Sequence, residues 1–244
     1  MSALRYLALA AICIIPGLSQ TASELIARNL QAKGGVEKIK ALRSLRATGK
    51  VQQGAMTMKV ASDSMAPNLL RQNYTLQGMT AVQAYDGKTG WKIDPFQGRR
   101  DPEVMGEEEL RDIVEDANFA GPLLDYQAQG NRADLLGKDT LDGDEVYKLK
   151  VTLKNGDIYY YYLDPETFLE VRIEKVQYIN GAVKESVIEC GSYKLVSGVY
   201  MPFTYETGPK QHPDAWSKIT YEKIEPNVPM DPAEFKMPAA AGKE

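Results

Sequence analysis

The sequence predicts a mainly β chain of the α+β class: one strongly curved antiparallel sheet of ten or eleven strands, an N-terminal helix, and one helix interrupting the strands. Three observations carry this. From Ser44 onward, apolar and polar residues alternate with a period of two over most of the chain. Turn dipeptides at Asp86-Gly87, Asn155-Gly156 and Asn180-Gly181 punctuate that alternation at strand-length intervals. Between Asp101 and Phe119 the period changes to that of a helix.

The chain opens with Arg5, a nine-residue apolar run from Leu7 to Ile15, and then Pro16, Gly17 and Ser19. The run is too short to span a bilayer, and small residues follow it, so residues 1–19 read as a secretory signal peptide cleaved near Ser19. Thr21-Ala22-Ser23-Glu24 has the spacing of a capping box. Leu25, Ile26 and Leu30 then recur at helical spacing until Gly34-Gly35 stops the helix, and Val36, Ile39 and Leu42 suggest a second short one. Strands follow over Ser44 to Ile93, with turns at Gly54, Gly78 and Asp86-Gly87. The helix after Asp101 carries Glu107, Glu108 and Glu109 in its first turn, where the macrodipole favours them, and Leu110, Ile113, Val114 and Ala117 on one face. Gly121-Pro122 ends it.

A two-residue turn at Asn155-Gly156 pairs Leu149 with Tyr162, Val151 with Tyr160 and Leu153 with Ile158 on one apolar face. Asn180-Gly181 pairs Ile173 with Ile188 and places Cys190 on an apolar face, where a buried inert thiol is expected. Two more strands, Val199 to Glu206 and Trp216 to Ile224, close the sheet. Residues 20–238 therefore read as a single domain, and residues 239–244 as a disordered tail.

Composition narrows the function. Of 244 residues, 29 are Lys or Arg and 33 are Asp or Glu, a net charge of −4, so the chain lacks general attraction for nucleic acid. His212 is the single histidine and lies in a polar stretch before Pro213, which argues against a His-rich metal site and for a loop residue. Cys13 and Cys190 are the two cysteines. Gly87-Lys88-Thr89 lacks the upstream glycine of a phosphate loop, Asp142-Gly143-Asp144 lacks the ligand spacing of a calcium loop, and no Gly-x-Ser-x-Gly elbow occurs. No catalytic residue, metal site or cofactor is expected. A curved sheet too wide for its own side chains makes a ligand cavity instead. The expected walls are Leu149, Val151, Leu153, Ile158, Tyr160, Tyr162, Ile173 and Ile188, with the helix bearing Leu110, Ile113 and Val114 as a lid.

A family resemblance points the same way. Asp86-Gly87-Lys88-Thr89-Gly90-Trp91, followed by Asp94-Pro95-Phe96, resembles the D-G-K-T-x-W-x-x-N/D-P-F segment of the periplasmic outer-membrane lipoprotein carrier (LolA-like) family. Pro67-Asn68-Leu69 resembles its P-N-L segment, and Asp231-Pro232-Ala233-Glu234-Phe235 its closing D-x-x-x-F segment, in the same order. The resemblance implies an unclosed β-barrel of about eleven strands wrapped over helices, enclosing an apolar cavity for lipid acyl chains. It implies a periplasmic carrier of lipoproteins or other acylated ligands, acting as a monomer with envelope donor and acceptor proteins, and not an enzyme. The motif residues Pro67, Asn68, Asp86, Gly87, Trp91, Pro95 and Phe96 are expected to be structural. In carriers of the well-studied type an arginine precedes the Pro-Asn pair, where this chain has Ala66. The alternative reading is a ligand-sensing or protein-interaction module of the envelope on the same fold.

Overall fold

The computed structural model describes residues 20–239. The signal peptide expected over 1–19 and positions 240–244 of the expected tail lie outside the described residues. The chain begins with α1 (Ala22–Ala32) and α2 (Val36–Ala41). Six strands follow: β1 (Ser44–Gln53), β2 (Met56–Met65), β3 (Leu69–Leu76), β4 (Met79–Tyr85), β5 (Gly90–Asp94) and β6 (Arg99–Val104). Helix α3 (Glu107–Ala117) comes next. Then come β7 (Arg132–Leu141), β8 (Asp144–Thr152), β9 (Ile158–Leu163), β10 (Glu170–Ile179), β11 (Ala182–Gly191), β12 (Lys194–Val196), β13 (Val199–Met201), β14 (Thr204–Pro209) and β15 (Ser217–Pro226). Strands β12 and β13 form a separate hairpin.

The other thirteen strands form one antiparallel sheet in the order β6-β5-β4-β3-β2-β1-β15-β14-β11-β10-β9-β8-β7, which is not closed into a barrel. The strands number more than expected. Strands β6 and β7 are the edges of the sheet, each paired on one side only, and the charged sequence of β6, RRDPEV, lacks the apolar alternation that marks a half-buried strand. Chain order and sheet order together explain α3. Strands β6 and β7 are consecutive in sequence but sit at opposite edges, so the segment between them, which contains α3, must cross the open side of the sheet.

The helices start and stop as their sequences dictate. Thr21 Oγ1 accepts from Glu24 N at 3.2 Å, while Thr21 N donates to Glu24 Oε2 at 2.9 Å, closing the capping box of α1. Leu25, Ile26 and Leu30 of α1, with Ile39 and Leu42, pack on Leu149, Val151, Tyr159, Tyr161 and Leu163 of β8 and β9. At the other end of the sheet, Leu110, Ile113 and Ala117 of α3 pack on Leu70, Tyr85 and Met105. Halfway along, β1 meets β15 through a bulge at Thr48/Gly49. A Cβ at Gly49 would stand 2.1 Å from the Thr220 carbonyl oxygen, so only glycine lets the two backbones approach there.

One hairpin register differs from the expectation. Thr152 pairs with Ile158, Val151 with Tyr159, and Leu149 with Tyr161. The connection is a three-residue loop, with Gly156 N donating to Leu153 O at 2.9 Å and Leu153 N donating to Asp157 O at 2.8 Å. Gly156 has φ +93° and Asn155 keeps negative φ, so the pair closes a bulged loop and not a two-residue turn. Shifting the register by one turns every side chain of β9 over. Tyr159 and Tyr161 therefore face the helices, and Ile158, Tyr160 and Tyr162 face away. In the next hairpin Asn180 and Gly181 both have positive φ, and the expected register holds, with Ile173 opposite Ile188 and Arg172 opposite Glu189.

Candidate ligand cavity

Helices α1 and α2 cover one end of the concave face and α3 the other, leaving the middle strands uncovered. A cavity of about 840 Å³ lies over them. Leu45, Ala47, Ile219, Tyr221 and Ile224 line it from β1 and β15, Tyr205 from β14, and Ile188 and Cys190 from β11. Phe119 and Ala120 close it from the segment after α3, and Val199, Tyr200 and Met201 from the small hairpin.

Of the residues expected to form its walls, Ile173 and Ile188 line the cavity. Leu149 and Val151 share the concave face but have no exposed surface, because α1 and α2 fill the space above them. Leu153 packs at the rim of that same core. Ile158, Tyr160 and Tyr162 lie on the opposite face for the register reason given above; the Lys148 ammonium sits 5.6 and 4.9 Å from the Tyr160 and Tyr162 rings. Leu110 and Ile113 rest on the sheet and Val114 is exposed, so these three do not line the cavity. The residues of α3 that do are Glu108, Asp112 and Asp116, one turn apart on its other side. Sequence reasoning missed the β14–β15 wall, although Ile219 and Tyr221 alternate with polar residues within a strand already recognised.

Polar contacts tie α3 to β9–β11 across the opening. Lys184 Nζ lies 2.8 Å from Asp112 Oδ2 and 3.0 Å from Glu108 Oε1. Lys175 Nζ lies 3.1 Å from Glu115 Oε2. Arg111 donates to the buried Asp157 at 3.0 Å and to the Tyr178 carbonyl at 3.0 Å. The helix is thus held by apolar packing at one edge of the sheet and by charge at the other.

Deeper in, Lys33 Nζ meets Glu170 Oε1 at 2.9 Å, and the Tyr193 hydroxyl donates to the Glu170 carbonyl at 2.9 Å. Burial opposes ionisation of Glu170, but the Lys33 charge and the hydrogen bonds outweigh it and hold the carboxyl below its ordinary range. Burial pushes the Cys190 thiol up to about 12, which leaves it protonated and unreactive. His212 is exposed at the start of a short 3-10 turn. Among the described residues no group of three or more His, Cys, Asp or Glu is placed to hold a metal ion, and no helix is long and apolar enough to cross a membrane.

The three sequence blocks that carry the family resemblance gather away from the cavity. Asp86 Oδ1 accepts from Lys88 N at 2.9 Å and Thr89 N at 2.7 Å, closing the loop between β4 and β5. The Asn68 side chain adjoins Gly87, where a Cβ would stand 3.5 Å from its Oδ1. Trp91 is fully buried on the outer face, and its Nε1 donates to the Phe235 carbonyl at 2.8 Å. Arg71 stands 5.5 Å from the Trp91 ring and donates to the Glu234 carbonyl at 2.9 Å. Asp94 Oδ1 accepts from Phe96 N at 3.1 Å and starts the turn at Pro95–Gln97.

Against solved structures, this architecture has clear counterparts. A LolA superfamily protein from Nitrosomonas europaea superimposes with a TM-score of 0.60 at 11% identity, over 89% of this chain and 98% of the other. This is the LolA-like fold. An outer membrane lipoprotein-sorting protein domain from Vibrio parahaemolyticus matches with a TM-score of 0.55 at 11% identity, over 88% and 95% of the two chains. A DUF1329 family protein from Desulfovibrio piger matches at 0.58 and 12% identity, over 88% and 95%. By sequence, no family model and no curated protein matches.

Proposed function

We propose that this LolA-like chain is a periplasmic binding or carrier protein for lipoproteins or other acylated, lipid-like ligands. The observation that carries this reading is the cavity of about 840 Å³ between α1/α2 and α3. It lies toward the upper end of the roughly 300–1,000 Å³ range of small-molecule pockets. Leu45, Ile188, Ile219 and Ile224 offer apolar wall to a chain. Each methylene buried against them contributes about 0.8 kcal/mol, before the costs of ordering the chain. The reading as an exported protein rests on Arg5, the apolar run and Ser19. Loading and unloading would then fall to envelope donor and acceptor proteins, with the carrier acting as a monomer.

Native mass spectrometry of protein taken from its own periplasm should show a co-purifying acyl ligand. Purified protein should also bind a fluorescent fatty-acyl probe, and Ile188→Asp or Ile219→Asp should abolish binding while circular dichroism stays unchanged. Val151→Asp is a poorer probe, because Val151 belongs to the core beneath α1 and α2. Folded wild type that binds no probe, while a known acyl-binding control saturates, ends the carrier reading.

A further inference from the structure

The small hairpin that walls part of the cavity has a second face. Val196 and Val199, opposite one another in β12 and β13, are buried, and Val199 belongs to the core beneath α1 and α2. The alternate pair, Leu195 and Tyr200, points the other way and stays 59% and 42% exposed. The two form a cross-strand apolar pair on a hairpin that joins no other strand. That hairpin is pressed against the turn between α1 and α2: Tyr200 N donates to the Lys33 carbonyl at 2.8 Å, and a Cβ at Gly34 would stand 2.1 Å from the Gly198 carbonyl oxygen. The contact brings basic residues to the exposed pair. Lys194 precedes Leu195 in the chain, and the Lys38 side chain runs past the hairpin turn, its Nζ 3.5 Å from where a Cβ at Gly198 would stand. Lys33 is engaged by Glu170 and Lys40 by Asp125, but Lys38 and Lys194 are exposed and pair with no carboxylate among the described residues. Residues 191–205 contain no Asp or Glu, and residues 33–43 contain one, Glu37, against four Lys or Arg. In a chain of net charge −4, this corner is basic.

An exposed leucine and tyrosine beside unpaired lysines match the layers of a negatively charged lipid interface. The leucine suits the acyl boundary, the tyrosine suits head-group depth, and the ammonium groups suit the phosphates. A specific protein partner needs about 800 Å² on each side and a central well-packed pocket, and two side chains on a hairpin supply neither. Position supports the same occupant. Val199, Tyr200 and Met201 line the cavity from this hairpin, so the exposed pair stands at the cavity's edge. Resting on the carrier reading for what then passes, we propose that the β12–β13 hairpin and α2 dock this protein transiently on an anionic phospholipid bilayer through Leu195, Tyr200, Lys38 and Lys194. Docking brings the edge of the cavity to the membrane that supplies or receives an acyl chain.

The test sediments the purified protein with sucrose-loaded vesicles. Wild type should bind vesicles of equal parts phosphatidylglycerol and phosphatidylcholine about tenfold more tightly than vesicles of phosphatidylcholine alone, and salt at about 0.5 M should erase the difference. Lys38→Glu combined with Lys194→Glu should abolish the preference, and Leu195→Ser should weaken binding to the mixed vesicles about fivefold. These three side chains are exposed and none lines the cavity, so both variants should keep the circular dichroism of wild type and its affinity for the uncharged probe N-phenyl-1-naphthylamine. Either variant carries the test if the other does not fold. No binding to the mixed vesicles, equal binding to the two kinds, or undiminished binding in a folded variant overturns the proposal, and with probe uptake intact it leaves the carrier reading standing. Retention only by vesicles that carry envelope membrane proteins marks a protein partner and overturns it likewise. Vesicle docking by a wild type that takes up no probe supports the docking surface and ends the carrier reading.

Discussion

Trp91 and Asp116 are opposites at the scale of single residues. Trp91 lies on the outer face with no exposed surface and its indole N–H satisfied by the Phe235 carbonyl. Truncating it removes a large buried ring and strands that carbonyl. Trp91→Ala should therefore cost about 3–5 kcal/mol in urea unfolding, with unchanged acyl-probe affinity in the fraction that remains folded, because the ring is on the far side of the sheet. Asp116 lines the cavity on the inner side of α3. Burial pushes its carboxyl above the ordinary range; Lys175 opposes the shift, and Glu115 and Asp112 add to it. The folded state then binds the Asp116 proton more tightly than the unfolded chain. Stability accordingly falls as pH rises from the ordinary carboxyl value through the raised one, and the deficit persists above it. Asp116→Asn should raise the Tm of the empty protein at neutral pH and leave it unchanged near pH 3, as thermal melts at the two pH values will show.

Among the elements, the β8–β9 hairpin and α3 decide where the cavity is. The bulged loop at Asn155-Gly156 sends Tyr159 and Tyr161 into the core and Tyr160 outward. Tyr161→Ser should cost about 3–5 kcal/mol, and Tyr160→Ser about 1 kcal/mol or less, measured by chemical denaturation. A two-residue turn would reverse that order. Helix α3 is amphipathic in a particular sense: its apolar side is satisfied by β3, β4 and the segment at Met105, and its acidic side by Lys175, Lys184 and the cavity. Ion pairs with β10 and β11 hold the acidic side of α3. Removing the two partly exposed pairs of Lys184, to Glu108 and Asp112, with Lys184→Met should speed amide hydrogen exchange in α3 about fivefold, the equivalent of roughly 1 kcal/mol, and leave β8 and β9 unaffected.

For the whole molecule, the decisive feature is a sheet with two free edges and a single connection between them. Because β6 and β7 follow one another in the chain yet sit at opposite ends of the sheet, α3 spans the gap without the sheet having to close. Gly49 at the β1–β15 seam lets the two halves approach at the point where the cavity floor lies. A ligand filling that space binds the folded form alone. At a free concentration of 100 times its Kd, an acyl ligand should add about 2.7 kcal/mol to the unfolding free energy, read as a ligand-dependent rise in Tm.

Much of this was legible in the sequence. The capping box at Thr21 and Glu24, the positive-φ turn at Asn180-Gly181, the α3 periodicity and the alternation of the central strands are local, set by backbone geometry and neighbouring side chains. The blocks at Pro67, Asp86 and Asp231 likewise announced the LolA-like fold, and those at Asp86 and Asp231 are compact turns closed by the aspartate's own hydrogen bonds. The cavity was only half legible. Ile173 and Ile188 were placed correctly because their turn admits one register; Ile158, Tyr160 and Tyr162 were not, because Asn-Gly serves two loop types and a one-residue slip inverts a strand. Leu149 and Val151 were assigned to the correct face, but no local signal says that α1 and α2 will fill the space above them. Nor could periodicity show that the acidic stripe of α3, and not its apolar stripe, would face the cavity. The sequence by itself determined which faces are apolar. Which of those faces meet one another, and which is left over to enclose a space, was decided by tertiary structure, because burial is a property of two surfaces and the chain specifies them one at a time.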